Sequence, residues 1–155
     1  MTTGFDRRSE HGSEDPTTVR SIAVSVDDVV TALEARQRSD RRTVLRVTPP
    51  FAGRMRARLH VVGTTGTDDT VAGPLHVHPE AFVGSDVPVV PSVDETEDAL
   101  RSRGDYSVDR HRSFHASAVE SWRGTVRSAL VDRVTLGTPD GPHTVEVKYL
   151  GGESE

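Results

Sequence analysis

Two groups of side chains have the types and spacing to do chemistry. The first is basic. Arg54, Arg56, Arg58 and His60 alternate with Met55, Ala57, Leu59 and Val61. Successive side chains of an extended strand point to opposite faces, so the four bases share one face and the four apolar groups the other. Arg46 lies on the wet side of the preceding extended run, and Lys148 adds to this face if the C-terminal strand joins the same sheet. Guanidinium forks match phosphate and carboxylate oxygens. Arg46, Arg54, Arg56, Arg58 and His60 are therefore the candidate contact for nucleic acid, another polyanion or an acidic protein surface. The face offers no aromatic ring for stacking bases, because Tyr149 alternates inward. The competing expectation is an ordinary wet sheet face, its arginines paired with Asp and Glu across strands or guarding an edge.

The second group is histidine. His76 and His78 flank Val77, so in a strand both rings point one way. His111 and His115 are four residues apart, which puts them on one side of a helix. If the two pairs met, His76, His78, His111 and His115 would offer imidazole donors to zinc, iron or nickel, and the chain would be a metal-binding protein or metal-dependent hydrolase. The pattern argues against their meeting. Leu75 and Val77 claim the core side of the strand, which turns both histidines to the wet side, while the helix packs on the core side. No Ser or Asp stands in a nucleophile motif, and no Gly-rich phosphate loop follows a strand. No catalytic residue and no cofactor is assigned from the sequence.

The elements that position these residues follow from periodicity. Val108, His115, Val119, Trp122, Val126, Ala129 and Leu130 recur at helical spacing and form an apolar stripe on one long helix from Ser107 to Leu130. Ser107 suits its N-cap. His115 is the one polar member of the stripe, most simply a core histidine bonded through a ring nitrogen. A second helix runs from Ser25 to Gln37, with Val26, Val29, Val30 and Leu33 on one face. A short one runs from Glu95 to Arg103, capped by Asp94 and ended by Gly104. Extended runs cover 43–48, 54–62 and 74–78, with one helical turn at 79–84. Residues 133–137 and 143–150 make a hairpin around Thr138-Pro139-Asp140-Gly141. Ile22 and Val24 begin the domain as an extended segment.

Clean alternation in several strands means a sheet with one wet face. The expected class is α+β: a mostly antiparallel sheet of about five strands, one long helix in the C-terminal half, and shorter helices on the same side. Residues 1–20 read as a disordered tail, 21–150 as one domain, and 151–155 as a second tail.

Composition narrows the setting. The 155 residues contain no cysteine, which excludes disulfides, thiolate metal sites and cysteine nucleophiles. No run is apolar enough to span a membrane and the N-terminus has no apolar signal region, so a cytoplasmic protein is expected. The net charge is −5, yet 18 of the 19 basic residues are Arg and Lys148 is the one lysine. An acidic surplus with scarce Lys and abundant Asp, Val, Thr and Arg resembles the proteins of extreme halophilic archaea. The runs Tyr106-Ser107-Val108-Asp109-Arg110-His111 and Val145-Glu146-Val147-Lys148-Tyr149-Leu150-Gly151 are similar to uncharacterised conserved haloarchaeal proteins. That resemblance implies no activity. The whole reads as a non-catalytic binding or interaction module that uses its arginine-bearing sheet face.

Overall fold

The computed structural model describes residues 13–39, 42–62 and 73–151. Its organising strand is β1, Ser21–Ser25. Ser21, Ala23 and Ser25 alternate with Ile22 and Val24, and the latter two have no accessible surface. β1 is flanked on both sides by parallel partners, β3 (Arg54–Arg56) and β7 (Gly141–Leu150). β7 in turn pairs antiparallel with β6 (Arg133–Thr138) through the expected hairpin, so the sheet runs β3-β1-β7-β6. A second, wholly antiparallel sheet has β2 (Thr43–Val47) in the middle, with β4 (Arg58–Val61) and β5 (Leu75–Val77) at its sides.

The protein is α+β, but in place of one antiparallel sheet of about five strands there are two sheets, one of them mixed. Alternation specifies which face a residue takes; it carries no information on which strand lies alongside, or in which direction. The run 54–62 illustrates the difference. It reads as one strand but divides at Ala57, which has no accessible surface and whose N–H donates to the carbonyl of Ala23 at 2.9 Å. Before Ala57 the chain pairs with β1; after it, with β2. Leu59 and Val61, expected in the core, lie at the rim of the second sheet and are 37% and 48% exposed.

α1, Val26–Ser39, follows β1 directly. Ser25 Oγ accepts from the N–H of Asp28, and Asp27 and Asp28 in the first turn with Arg36 and Arg38 in the last complement the helix dipole. α1 is the middle layer of the molecule. Val29 and Ala32 join the sheet-side core with Ile22, Val24, Leu45 and Val47, while Val26, Val30 and Leu33 join a second cluster with Val119, Trp122 and Val126. Those last three belong to α3, Val108–Ser128. The long helix is therefore an outer element packed on α1, and Val108, expected in its stripe, is 63% exposed. Trp122 anchors it, donating from Nε1 to the carbonyl of Pro88 at 2.7 Å. α2, Val93–Arg103, is held by a capping box between Ser92 and Glu95, two residues earlier than the expected Asp94 cap, and ends at Gly104 with φ +74.

Residues 13–20 are not a free tail. Ser13 exchanges backbone hydrogen bonds with Phe51, and Val19 is fully buried. The rest of the expected tails, 1–12 and 152–155, lies outside the described residues. No helix among those described is long and apolar enough to cross a membrane.

The crossover at Ala57 has a stability consequence. Ala57→Leu forces extra methyl groups into a filled junction and is expected to cost about 1–3 kcal/mol. Urea unfolding measures this; an unchanged midpoint would place Ala57 wrongly.

Candidate functional site: the basic faces of the two sheets

The outer face of the mixed sheet is built in transverse rows. In one row Arg54 lies beside Ser21, Ser21 beside Glu146, and Glu146 opposite Arg133. In the next, Arg56 and Lys148 flank Ala23 from either side. Strand spacing puts the Cα atoms of that outer pair about 10 Å apart. The small residues of β1 thus form a low floor between long basic side chains. Lys148 joins the face because β7 joins the sheet. Arg133 was legible too, since the hairpin turn fixes its register against Glu146, yet the alternation of a single strand gave no reason to pair them.

On the second sheet, the register sets Arg46 opposite both Arg58 and His76, and Val44 opposite His60. These polar groups share one face, the reverse of that bearing Leu45, Val47 and Val77. Arg46 Nη1 lies 3.2 and 3.3 Å from the two ring nitrogens of His60. The near-equal distances place the guanidinium nitrogen over the imidazole ring. The His60 and His76 rings are 5.7 Å apart. Arg46, Arg56, Arg58 and His60 line a single concavity of about 390 Å³. Arg54 does not; it lines a separate hollow with Arg20, Arg133, His143 and Glu146. Arg56 lies where the two basic faces meet.

Pairing separates these residues from the arginines of the helical layer. Arg36 bonds Glu80, Arg101 bonds Glu97, and Arg110 and Arg112 lie near Asp105 and Asp109. Glu34 is clamped by Arg123, which donates from Nε and Nη2 at 3.0 and 3.1 Å, and by Arg38 at 2.8 Å. Arg127 completes the set with Asp27 and Glu120. In contrast, Arg20, Arg46, Arg54, Arg56, Arg58, Arg133 and Lys148 form no ion pair with any described residue. Glu146 is the one carboxylate among the described residues of these strand faces, opposite Arg133 in the register, and it forms no ion pair with the sheet cations.

The histidines do not converge. His76 belongs with Arg46 and His60. His78 stands exposed just past the end of β5, before the turn Pro79–Phe82. His111 and His115 face α2 instead, where Thr96 Oγ1 lies 2.9 Å from His111 Nε2 and 2.9 Å from His115 Nδ1. Among the described residues no three His, Asp or Glu side chains come together as a metal site. His115 Nε2 meets Arg38 at 3.4 Å, so it accepts and the ring carries its proton on Nδ1, toward Thr96. His111 Nε2 also reaches the Val93 carbonyl at 3.2 Å and so is the protonated nitrogen. The polar member of the helix stripe is thus a pin that joins α3 to α2 and α1. Tyr149 points inward, as the alternation requires. Its hydroxyl donates to Val131 O at 2.6 Å, and burial, helped by Asp132, pushes its pKa up to about 12.

Comparison with known proteins agrees with an uncharacterised family. The model of a domain of unknown function, DUF8009, matches residues 8–151, and the chain belongs to that family. No curated protein and no solved structure matches it.

The His115 pin makes stability depend on pH. Burial holds its ring below the usual histidine range, with Arg38 and then His111 adding to the effect and Glu34 opposing it. The unfolded chain therefore takes up the proton first, near pH 6.5. The contribution is full above that value and is lost as pH falls below it. Thermal melts between about pH 8 and about pH 5 should show a steeper acid-side fall for the native chain than for His115→Gln. Parallel profiles would remove His115 from this role.

Proposed function

We propose that this member of the DUF8009 family is a non-catalytic binding module that holds a polyanion, in the first instance the phosphate backbone of nucleic acid, on the basic faces of its two sheets. The observation that carries this reading is the division of the cations. On a chain with net charge −5, every helical arginine but Arg103 lies by a carboxylate, whereas the cations of the sheet faces form no ion pair with any described residue. Unmatched charge on a folded surface is repelled by its like neighbours and is relieved when an anionic partner arrives.

The absence of Phe, Tyr and Trp from the described residues of these faces favours backbone contact over stacking on unpaired bases, and hence little preference for sequence. The acidic, lysine-poor composition supports a halophilic and cytoplasmic setting. In multimolar salt the Debye length falls to about 3 Å, so long-range steering is weak and contact depends on close bidentate geometry. Guanidinium supplies that geometry and ammonium does not.

The test is duplex binding by fluorescence anisotropy over a series of salt concentrations. Changing Arg54, Arg56 and Arg58 together to Ser should weaken binding at every salt concentration and reduce the slope of log affinity against log salt by about 2–3. A triple variant that keeps both affinity and slope would sink the reading. Binding to acidic polypeptide but not to duplex would redirect it to a protein partner.

A further inference from the structure

We infer that the concavity around Arg46 is a discrete site for one dianionic phosphate group, borne either by free phosphate and small phosphomonoesters or by the end of a nucleic-acid strand. This rests on the reading of the basic faces as phosphate-directed, but assigns one pocket within them and one kind of ligand.

Three observations carry it. The first is the lining. Among the described residues, Arg46, Arg56, Arg58 and His60, with Thr48, supply the polar side chains and Met55 and Leu59 the apolar ones, with no carboxylate. The hollow between α1 and α3, in contrast, holds Arg38, Arg123 and Arg127 together with Asp27, Glu34 and Glu120. The second is Arg46 itself. It stands on the central strand of its sheet, opposite Arg58 on one neighbour and His76 on the other. Its Nη1 lies over the His60 ring, its Nε is buried without a hydrogen-bond partner, and no carboxylate among the described residues lies within ion-pair distance. A partly buried cation surrounded by cations and imidazole is unfavourable unless an anion completes it. The third is the size and chemistry of the space. About 390 Å³ holds a phosphate and part of the group that bears it. Among the described residues no Phe, Tyr or Trp lines it, so a broad platform for a nucleobase is lacking.

Phosphate fits better than carboxylate for reasons of charge and shape. A phosphomonoester carries close to two negative charges at neutral pH and three terminal oxygens. Arg46, Arg56 and Arg58 can each present a planar fork to an oxygen pair. His60 and Thr48 line the same space, and a ring N–H and a hydroxyl can reach the third oxygen.

The full-length chain, labelled with 15N, would be titrated with inorganic phosphate at constant ionic strength, with amide resonances followed by NMR. Saturable shifts confined to the surroundings of Arg46, Arg58 and His60 are expected. The exposed Arg58→Gln variant should bind phosphate about tenfold more weakly, while Arg127→Gln should bind it as the native chain does. Shifts that remain linear and scattered, or an Arg58→Gln variant with native affinity, would overturn the site.

A second arm compares 5′-phosphorylated with 5′-hydroxyl duplexes. Tighter binding of the phosphorylated ends, by about tenfold, assigns the group to the polymer; equal binding alongside saturable phosphate binding assigns it to small phosphate compounds. Duplex binding without phosphate saturation overturns this site and leaves the polymer reading standing. Phosphate saturation without duplex binding does the opposite.

Discussion

The methyl group of Ala57 has no accessible surface, and its N–H is bonded to Ala23 on the central strand of the mixed sheet. At this point the chain leaves one sheet and enters the other. A larger residue would hold the two sheets apart, and an unbonded amide would be left in the interior. Much of the charge geometry depends on this junction. It assigns Arg54 and Arg56 to the face that also bears Lys148 and Arg133, and Arg58 and His60 to the face that bears Arg46 and His76. A stripe on one continuous strand would have been a line of charge. Divided at Ala57, it becomes two basic surfaces that meet at Arg56.

The helical layer explains how the rest of the molecule tolerates its own charge. α1 is buried toward both the sheets and α3, so its polar residues are confined to narrow edges. There Glu34 accepts from Arg38 and Arg123, and Arg127 closes toward Asp27. Partly exposed pairs of this kind contribute about 0.2–1 kcal/mol each. Their main effect is to fix the register of α3 on α1 alongside Trp122. The Thr96, His111 and His115 cluster does the same for α2 on α3. These polar groups are satisfied by one another, which leaves the sheet cations as the chemically open part of the protein.

Sequence patterning determined most of the local structure, and the reasons are local. The Ser107 cap, the hairpin turn before Gly141, the helix after Ser25 and the inward phase of Tyr149 each depend on neighbours a few residues away. The candidate contact residues Arg46, Arg54, Arg56, Arg58 and His60 were visible for the same reason: alternation places a side chain on a face whatever lies next to the strand. The absence of cysteine was equally plain, and the turn of His76 away from the helices followed from Leu75 and Val77.

What the tertiary structure alone decided is which faces are covered and by whom. Ile22 and Val24 carry no mark in sequence that they form an interior strand with parallel partners on both sides. The long helix announces itself by length and periodicity, but its layer is set by α1, which claims the apolar contacts on both of its sides and leaves Val108 in solvent. His115 looked like half of a site because a helix shows only its own face; Thr96 and Arg38 approach from two other helices. Ion pairing is non-local in the same way. Eighteen arginines are alike in a sequence, and only packing separates those that meet a carboxylate from those that do not. The face of each strand is thus written in the chain, while the partner of each charge is written in the fold.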